Sequence, residues 1–344
     1  MRMRSLYSLS RKKRILFLGL KPSSFVVQDV NILRTNFEVL PYYINKNQVK
    51  KSIISFFKSL TKICNSDLVF TWFTLPQFFV HIFIAKILHK KTAVVVGGYE
   101  VVKMKEINYG ALNNPIKAFF IKKILNLADV ILPVSNYASQ EVKKITKNEN
   151  IYVIHNGINT KKFFKLPGVE KEEIMLTVAS DIDSQFYKKG IDIIFKVASH
   201  FQRHKIIIIG KYSPLWKKNN FGILPRNIEI VGFLKSDELV KFYSKAKIYL
   251  QLSRQESFGC ALAEAMACEC IPVVSNKTAL PEVVGETGVV VNIDNEEDVI
   301  KGIKKALEAP SSLGGKARDR ICKFFDVEKR KKELIKVISS LFVT

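Results

Sequence analysis

A chain of 344 residues, 47% apolar and 25% charged, is long enough for two domains of about 150 residues each and too apolar to be disordered. Its formal net charge of +24 is lopsided: residues 1–165 hold 27 Lys or Arg against 8 Asp or Glu, and residues 166–344 hold 28 against 23. Five cysteines, odd in number and without paired short spacings, exclude a disulfide framework and a zinc ligand set, and read as buried thiols in a reducing compartment.

Along the chain, the basic start Met1 to Arg14 precedes only Ile15 to Leu20 before Lys21-Pro22, too short for the apolar region of a secretory signal. Strands are expected at Arg14 to Leu18, Phe37 to Tyr42 and Leu68 to Trp72. The apolar stretch Leu68 to Leu88 is long enough to cross a bilayer, but Pro76, Gln77 and His81 interrupt it. It reads as a buried strand followed by an apolar helix, Phe78 to His89, so the protein is expected to be soluble or peripheral. Strands at Thr92 to Val96, Val130 to Val134 and Ile151 to Ile154 follow, with a helix at Pro115 to Leu127 and a stop at Asn156-Gly157. After a Pro167-Gly168 linker a second series begins: Ile174 to Val178, Lys205 to Ile209, Ile228 to Ile230, Ile248 to Leu250, Ile271 to Val274 and Gly288 to Val291. A helix at Val327 to Leu341 ends the chain.

Short apolar runs alternating with helices predict parallel sheets, and two such series predict two doubly wound domains facing each other across a cleft. Ligands of such sheets bind beyond the carboxyl ends of the strands, where Gly210, Gly232 and the loop Arg254 to Gly259 fall. The most informative stretch is Ser253 to Ala267. It sets Glu256 on a loop and Glu264 within an Ala- and Leu-rich helix, around Phe258-Gly259. The free N–H groups at the start of that helix suit a phosphate, and the carboxylates suit sugar hydroxyls. The expected ligand is part phosphate and part sugar. The positive surplus implies an anionic partner, whether a membrane face, a phosphorylated acceptor or nucleic acid, or else simple solvation of lysine-rich helices. No nucleic-acid-binding motif accompanies it, so no nucleic-acid partner is expected.

The pattern Glu256-Ser257-Phe258-Gly259, then Glu264-Ala265-Met266-Ala267, Ile271-Pro272-Val273-Val274 and Pro281-Glu282-Val283-Val284-Gly285 resembles the Glu-x7-Glu signature of the family 4 retaining glycosyltransferases (group 1 glycosyl transferases). The resemblance is strong over Asn156 to Leu307 and weaker before it. It implies an α/β GT-B fold of two Rossmann-like doubly wound domains. Residues 1–166 would bind the acceptor, 167–325 the nucleotide sugar, and 326–344 would form a helix crossing back to the first domain. By that resemblance, Lys189 of Lys189-Gly190 holds the donor phosphate, Glu256 contacts the donor sugar and Glu264 the ribose hydroxyl pair. The backbone of Ser257, Phe258, Gly259 and Cys260 contacts sugar and phosphate oxygens, and Gly210, Gly232 and Phe233 form the base pocket.

Several positions depart from the family. The usual Gly-Arg after the first strand of the second domain is Ala179-Ser180-Asp181 here, so either Lys188 or Arg254 takes the place of that Arg. The His expected after the fourth strand of the first domain is missing, and Glu100 becomes the candidate for a sugar or acceptor contact. After the first strand, Gly19-Leu20-Lys21-Pro22-Ser23-Ser24 stands where a Gly pair is usual. Glu269 replaces the Gly that ends the motif helix, at a cost in stability. Asp181-Ile182-Asp183 imitates a metal motif, but the resemblance implies no cofactor and no metal. It implies a hexosyl transfer from a nucleotide-sugar donor to a glycan or lipid-linked acceptor, with retention through front-face attack. The basic first domain adds the expectation of a cytoplasmic location, either soluble or peripheral on the anionic membrane face. The rival readings are a catalytically degenerate binding subunit and a nucleotide-sugar epimerase of the same fold.

Overall fold

The computed structural model describes residues 11–20, 24–43, 59–213 and 224–343. Runs of Val, Ile and Leu buried on both faces build two wholly parallel sheets, the composition that such sheets demand. The first holds β1 (Arg14–Gly19), β2 (Glu38–Tyr43), β3 (Leu68–Trp72), β4 (Lys91–Val96) and β5 (Val130–Pro133) in the order β2-β1-β3-β4-β5. The second holds β6 (Glu172–Asp181), β7 (Lys205–Lys211), β8 (Ile228–Val231), β9 (Ala246–Gln251), β10 (Ile271–Ser275) and β11 (Val289–Val291) in the order β11-β10-β9-β6-β7-β8. The winding direction reverses between β1 and β3 and again between β6 and β9, and the loops after these strands open the crevices in which doubly wound sheets bind ligands.

The expected sixth strand at Ile151 to Ile154 is reduced to one bridge, Ile151 to Ile131. The segment does run beside β5, with Tyr152 N donating to Ile131 O at 2.9 Å and Ile154 N to Pro133 O at 3.0 Å. Pro133 has no N–H to return, so the ladder breaks there. The apolar stretch expected as strand plus helix is β3 followed by a helix at Phe79–Ile87. No helix among the described residues is long and apolar enough to cross a membrane. The cysteines are all free, but only Cys268 and Cys270 are buried. Cys64 and Cys322 are exposed, because they fall on outer positions of surface helices.

The final helix, Val327–Ser340, packs on the Ser24–Arg34 helix of the first domain. A buried cluster fixes it there. Arg330 forms a fork with Asp29 (Nε to Oδ1 2.7 Å, Nη2 to Oδ2 2.6 Å) and donates to the carbonyls of Ile154 and His155 at 2.8 Å. Trp72 Nε1 donates to the same carboxylate at 2.7 Å. Gly157 lets the chain pass against Val327, where a Cβ would lie 2.7 Å from its Cα. Glu269 ends the motif helix with φ +64°, the left-handed conformation in which a residue with a Cβ is strained.

Candidate active site

β6 leads into a loop that carries Lys188 and Lys189 and closes on Gly190. With φ +67°, and with no room for a Cβ against the Leu252 carbonyl, that position requires glycine. The close approach brings this loop onto the one after β9, where Arg254 N donates to Lys188 O at 2.9 Å. Lys189 Nζ thereby forms an ion pair with Glu256 Oε1. Gln251 Nε2 donates to the same oxygen at 3.3 Å, and Glu256 N donates to Thr278 Oγ1 at 3.1 Å. Gly259, at φ +93°, turns the chain into the helix Cys260–Ala267.

That helix begins at the cleft. Ser257, Phe258, Gly259, Cys260 and Ala261 line its wall together with Glu256 and Glu264. The first N–H groups of a helix have no partner within it and carry partial positive charge. Glu264 lies just over one turn inside, where Tyr243 OH donates to it at 3.4 Å. Burial pushes the Glu264 carboxyl up to about 7, more than that hydrogen bond restores. Burial likewise lowers Lys188 against the pull of Glu256, and its Nζ rests 4.8 Å from the Tyr109 ring centre.

The cleft has a volume of ≈ 540 Å³ and is shared by both domains. Gly210, Phe233 and Leu234 line its far end, with the Phe233 ring 64% exposed. Gly232 does not line it, and a Cβ there would meet nothing within 4 Å. The first domain contributes Phe25, Trp72, Phe73, Gly97 and Tyr109. Phe73 holds φ +73° and lays its ring on Gly97, where a Cβ would sit 2.5 Å from Cε1. Such an outlier persists only where its surroundings over-determine it.

The remaining candidates lie elsewhere. Glu100 is fully buried behind the cleft wall. It accepts from Gly97 N at 2.8 Å, and burial raises its carboxyl to about 7. It therefore shapes the Gly97-Gly98 turn and does not line the cleft. Arg254 forks onto Asp192 at 2.7 and 2.8 Å and does not line the cleft, which leaves Lys188 as the second cation there. Asp181 accepts from Ser184 N at 3.0 Å as a helix cap, and Asp183 from Ser213 N at 3.0 Å.

Sequence reasoning missed the residues that join the domains. A Cβ on Gly98 would collide with Ser257 Oγ, so the two walls touch there. Tyr137 OH donates to Gln255 Oε1 at 3.1 Å. Glu282 reaches across to cap the Asn136–Lys143 helix, accepting from Asn136 N at 2.9 Å and pairing with His155 Nε2 at 2.6 Å. Burial would raise Glu282, but His155 and these N–H groups outweigh it and the net shift is downward. The only available signal was the Pro281-Glu282 pair, which names no partner.

Two parallel Rossmann-like domains around this cleft define the GT-B fold. The structure superposes on sucrose-phosphate synthase from Thermosynechococcus elongatus with TM-score 0.77 and 16% identity, over 96% of this chain and 100% of that one. On Anabaena HepE in complex with UDP-glucose it gives TM-score 0.77 and 14% identity, over 95% and 99%. Residues 159–323 match the family of glycosyl transferases group 1, and the chain carries a domain of that family. It is 25% identical to an uncharacterised glycosyltransferase of Methanocaldococcus jannaschii, over 84% of this chain and 78% of that one. It is also 25% identical over 213 residues to the serotype-specific mannosyltransferase WbdA of Escherichia coli, 56% of this chain. The chain spans about a quarter of the length of that relative, 26%.

Proposed function

We propose that the protein is a retaining glycosyltransferase of the family 4 type, moving a hexose from a nucleotide sugar to a hydroxyl of a glycan or lipid-linked acceptor. The observation that carries this is the convergence of Lys189, Lys188, Glu256, Glu264 and a helix N-terminus on one wall of the interdomain cleft. Each has a task in that reaction. As the C1–O bond breaks, its electron pair goes to the departing diphosphate, and the lysines and N–H dipoles meet the charge that develops. Glu264 would accept both ribose hydroxyls, Glu256 would hold the donor sugar, and Phe233 would offer a face to the base. The acceptor hydroxyl attacks from the side the diphosphate leaves and gives its proton to that phosphate, so no protein nucleophile is needed. Phosphate neutralisation by cations and dipoles lets the reaction proceed without a metal, and Asp181 and Asp183 are engaged by backbone N–H groups. The relatives named as mannosyltransferases support a hexosyl donor, and the basic first domain supports a peripheral location on an anionic cytoplasmic membrane face.

The test pairs binding with turnover. Thermal unfolding is followed with UDP, GDP and ADP sugars on the wild type and on Lys189→Ala, and transfer is measured with the donor that shifts it. One donor class should raise stability by about 2.7 kcal/mol at a hundredfold excess over its dissociation constant. Lys189→Ala should lower the transfer rate by about 10²–10³. Donor binding without transfer to any acceptor would point to a degenerate binding subunit, and no shift with any donor would end the transferase reading.

A further inference from the structure

The outer face of the first sheet is covered by two adjacent helices, Phe79–Ile87 and Pro115–Leu127, joined through Phe79 and Phe120, whose ring centres lie 5.3 Å apart. Their inner faces are ordinary core: Ile82, Ala85, Ile121 and Ile124 are fully buried. Their outer faces are not ordinary surface. Ile116 is 68% exposed, Ile87 59%, Phe119 56% and Phe83 46%, with Val80 and Leu88 close behind. These are six of the fifteen large apolar side chains exposed among the described residues, concentrated on two neighbouring helices. Isolated exposed apolar groups need no explanation, but a contiguous set does.

The charges on the same helices all have one sign. Residues 68–99 and 107–128 contain no Asp or Glu at all. Lys86 is neutralised by Asp129 at 2.6 Å, whereas Lys117, Lys122 and Lys123 project from the exposed side of the second helix, with Lys123 Nζ 5.5 Å from the Phe119 ring centre. A protein partner would be expected to meet such a surface with carboxylates at fixed positions. An apolar stripe flanked by lysines with no acidic group between them instead suits a bilayer interface, with rings and methyls among the acyl chains and ammonium groups at the lipid phosphates.

We infer that the exposed face of helices Phe79–Ile87 and Pro115–Leu127 docks on an anionic lipid bilayer. The topology makes the placement useful. The first helix leaves the carboxyl end of β3 and runs back along the sheet, and the second starts at the same end before entering β5. The Val80 and Ile116 ends therefore lie on the side of the sheet where the cleft opens, so a docked membrane sits beside the cleft mouth. The inference deepens the peripheral location proposed above by naming the surface that makes the contact, and its failure would leave the transferase reading, which rests on the cleft, untouched.

Co-sedimentation of the whole chain with phosphatidylcholine vesicles, with and without phosphatidylglycerol, tests it against two double variants, Ile116→Ser with Phe119→Ser and Lys117→Glu with Lys122→Glu. All four positions are exposed, and unchanged thermal unfolding and donor-induced shifts would confirm intact folds and an intact cleft. The wild type should partition at least about tenfold more strongly onto the anionic vesicles, and each double variant should lose about tenfold of that. Equal partition of the wild type on both vesicles would overturn the inference. So would variants that bind like the wild type, which would move the contact to other lysines. Sedimentation velocity supplies the third arm: a wild-type dimer that the serine variant dissolves, with vesicle binding unchanged, would make the face an interface between two copies.

Discussion

The two walls of the cleft are built from different chemistry. The wall from the second domain is ionic and donor-rich, with Lys188, Lys189, Glu256, Glu264 and a helix N-terminus. The wall from the first domain is aromatic and uncharged, with Phe25, Trp72, Phe73 and Tyr109 around Gly97. A nucleotide sugar has one strongly anionic end, and only the ionic wall can hold it. What the aromatic wall offers is an apolar, shaped surface that would suit the faces of sugar rings. On the proposed function, donor affinity would belong to one domain and acceptor choice to the other.

The largest test of that division asks whether the domains act as separate bodies. Asp29 and Arg330, fully buried, tie the last helix of the chain to the first domain. Asp29→Ala would leave the guanidinium buried and without its carboxylate, at a cost of about 3–5 kcal/mol in urea unfolding. A single cooperative transition that loses this much would show that the walls share one folding unit. A split transition would show two bodies held together by the tether.

The ionic wall was the legible half, and the reason is local. Glu256, Gly259 and Glu264 sit on one loop and the helix turn after it, so their spacing sets their geometry, whereas Lys189, 67 residues from Glu256, was joined to them only through the family resemblance. The strands were legible for the same reason, since runs such as Val94-Val95-Val96 carry their burial in their composition. The aromatic wall was not. Phe73 owes its orientation to a left-handed backbone that no residue type announces, and the Asp29–Arg330 pair joins residues 301 apart. Glu100 shows the same limit from the other side: its position after β4 suggested a ligand contact, but the tight Gly97-Gly98 turn folds it inward.

The next effect concerns Glu264, where burial has placed a carboxyl near neutrality. Its folded value lies above its unfolded one, so between about 4.5 and about 7 the folded state holds a proton that the unfolded chain has lost. Its contribution to stability therefore falls as pH rises through that window and is flat above it. Glu264→Gln should flatten that slope, leaving the part due to Glu100, which shifts in the same direction. Ribose hydroxyls need the carboxylate, so donor affinity should rise with pH up to about 7. A nucleotide sugar is the right probe because it lacks a terminal phosphate that titrates there. At pH 8 the Gln variant should bind about 10–100-fold more weakly, as expected for loss of hydrogen bonds to a charged group. Calorimetry that finds equal affinity in both proteins would remove Glu264 from the donor site.

The smallest effect probes the seam between the walls. Tyr109 belongs to the first domain but carries Lys188 of the second on its ring face, and it borders both the main cleft and the adjoining cavity beside Arg254. A partly desolvated cation on an aromatic face contributes roughly 0.5–2 kcal/mol. Tyr109→Ala should therefore change donor affinity by only a few-fold, through Lys188, while raising the acceptor KM by more. Tyr109→Phe keeps the ring and should behave as the wild type in both. Burial, reinforced by Glu256 and Glu100, drives the Tyr109 hydroxyl far above its usual range, so the phenolate plays no part near neutrality. If Phe and Ala fell equally in acceptor KM, the hydroxyl and not the ring face would be the contact, and the aromatic wall would be reading its ligand through hydrogen bonds after all.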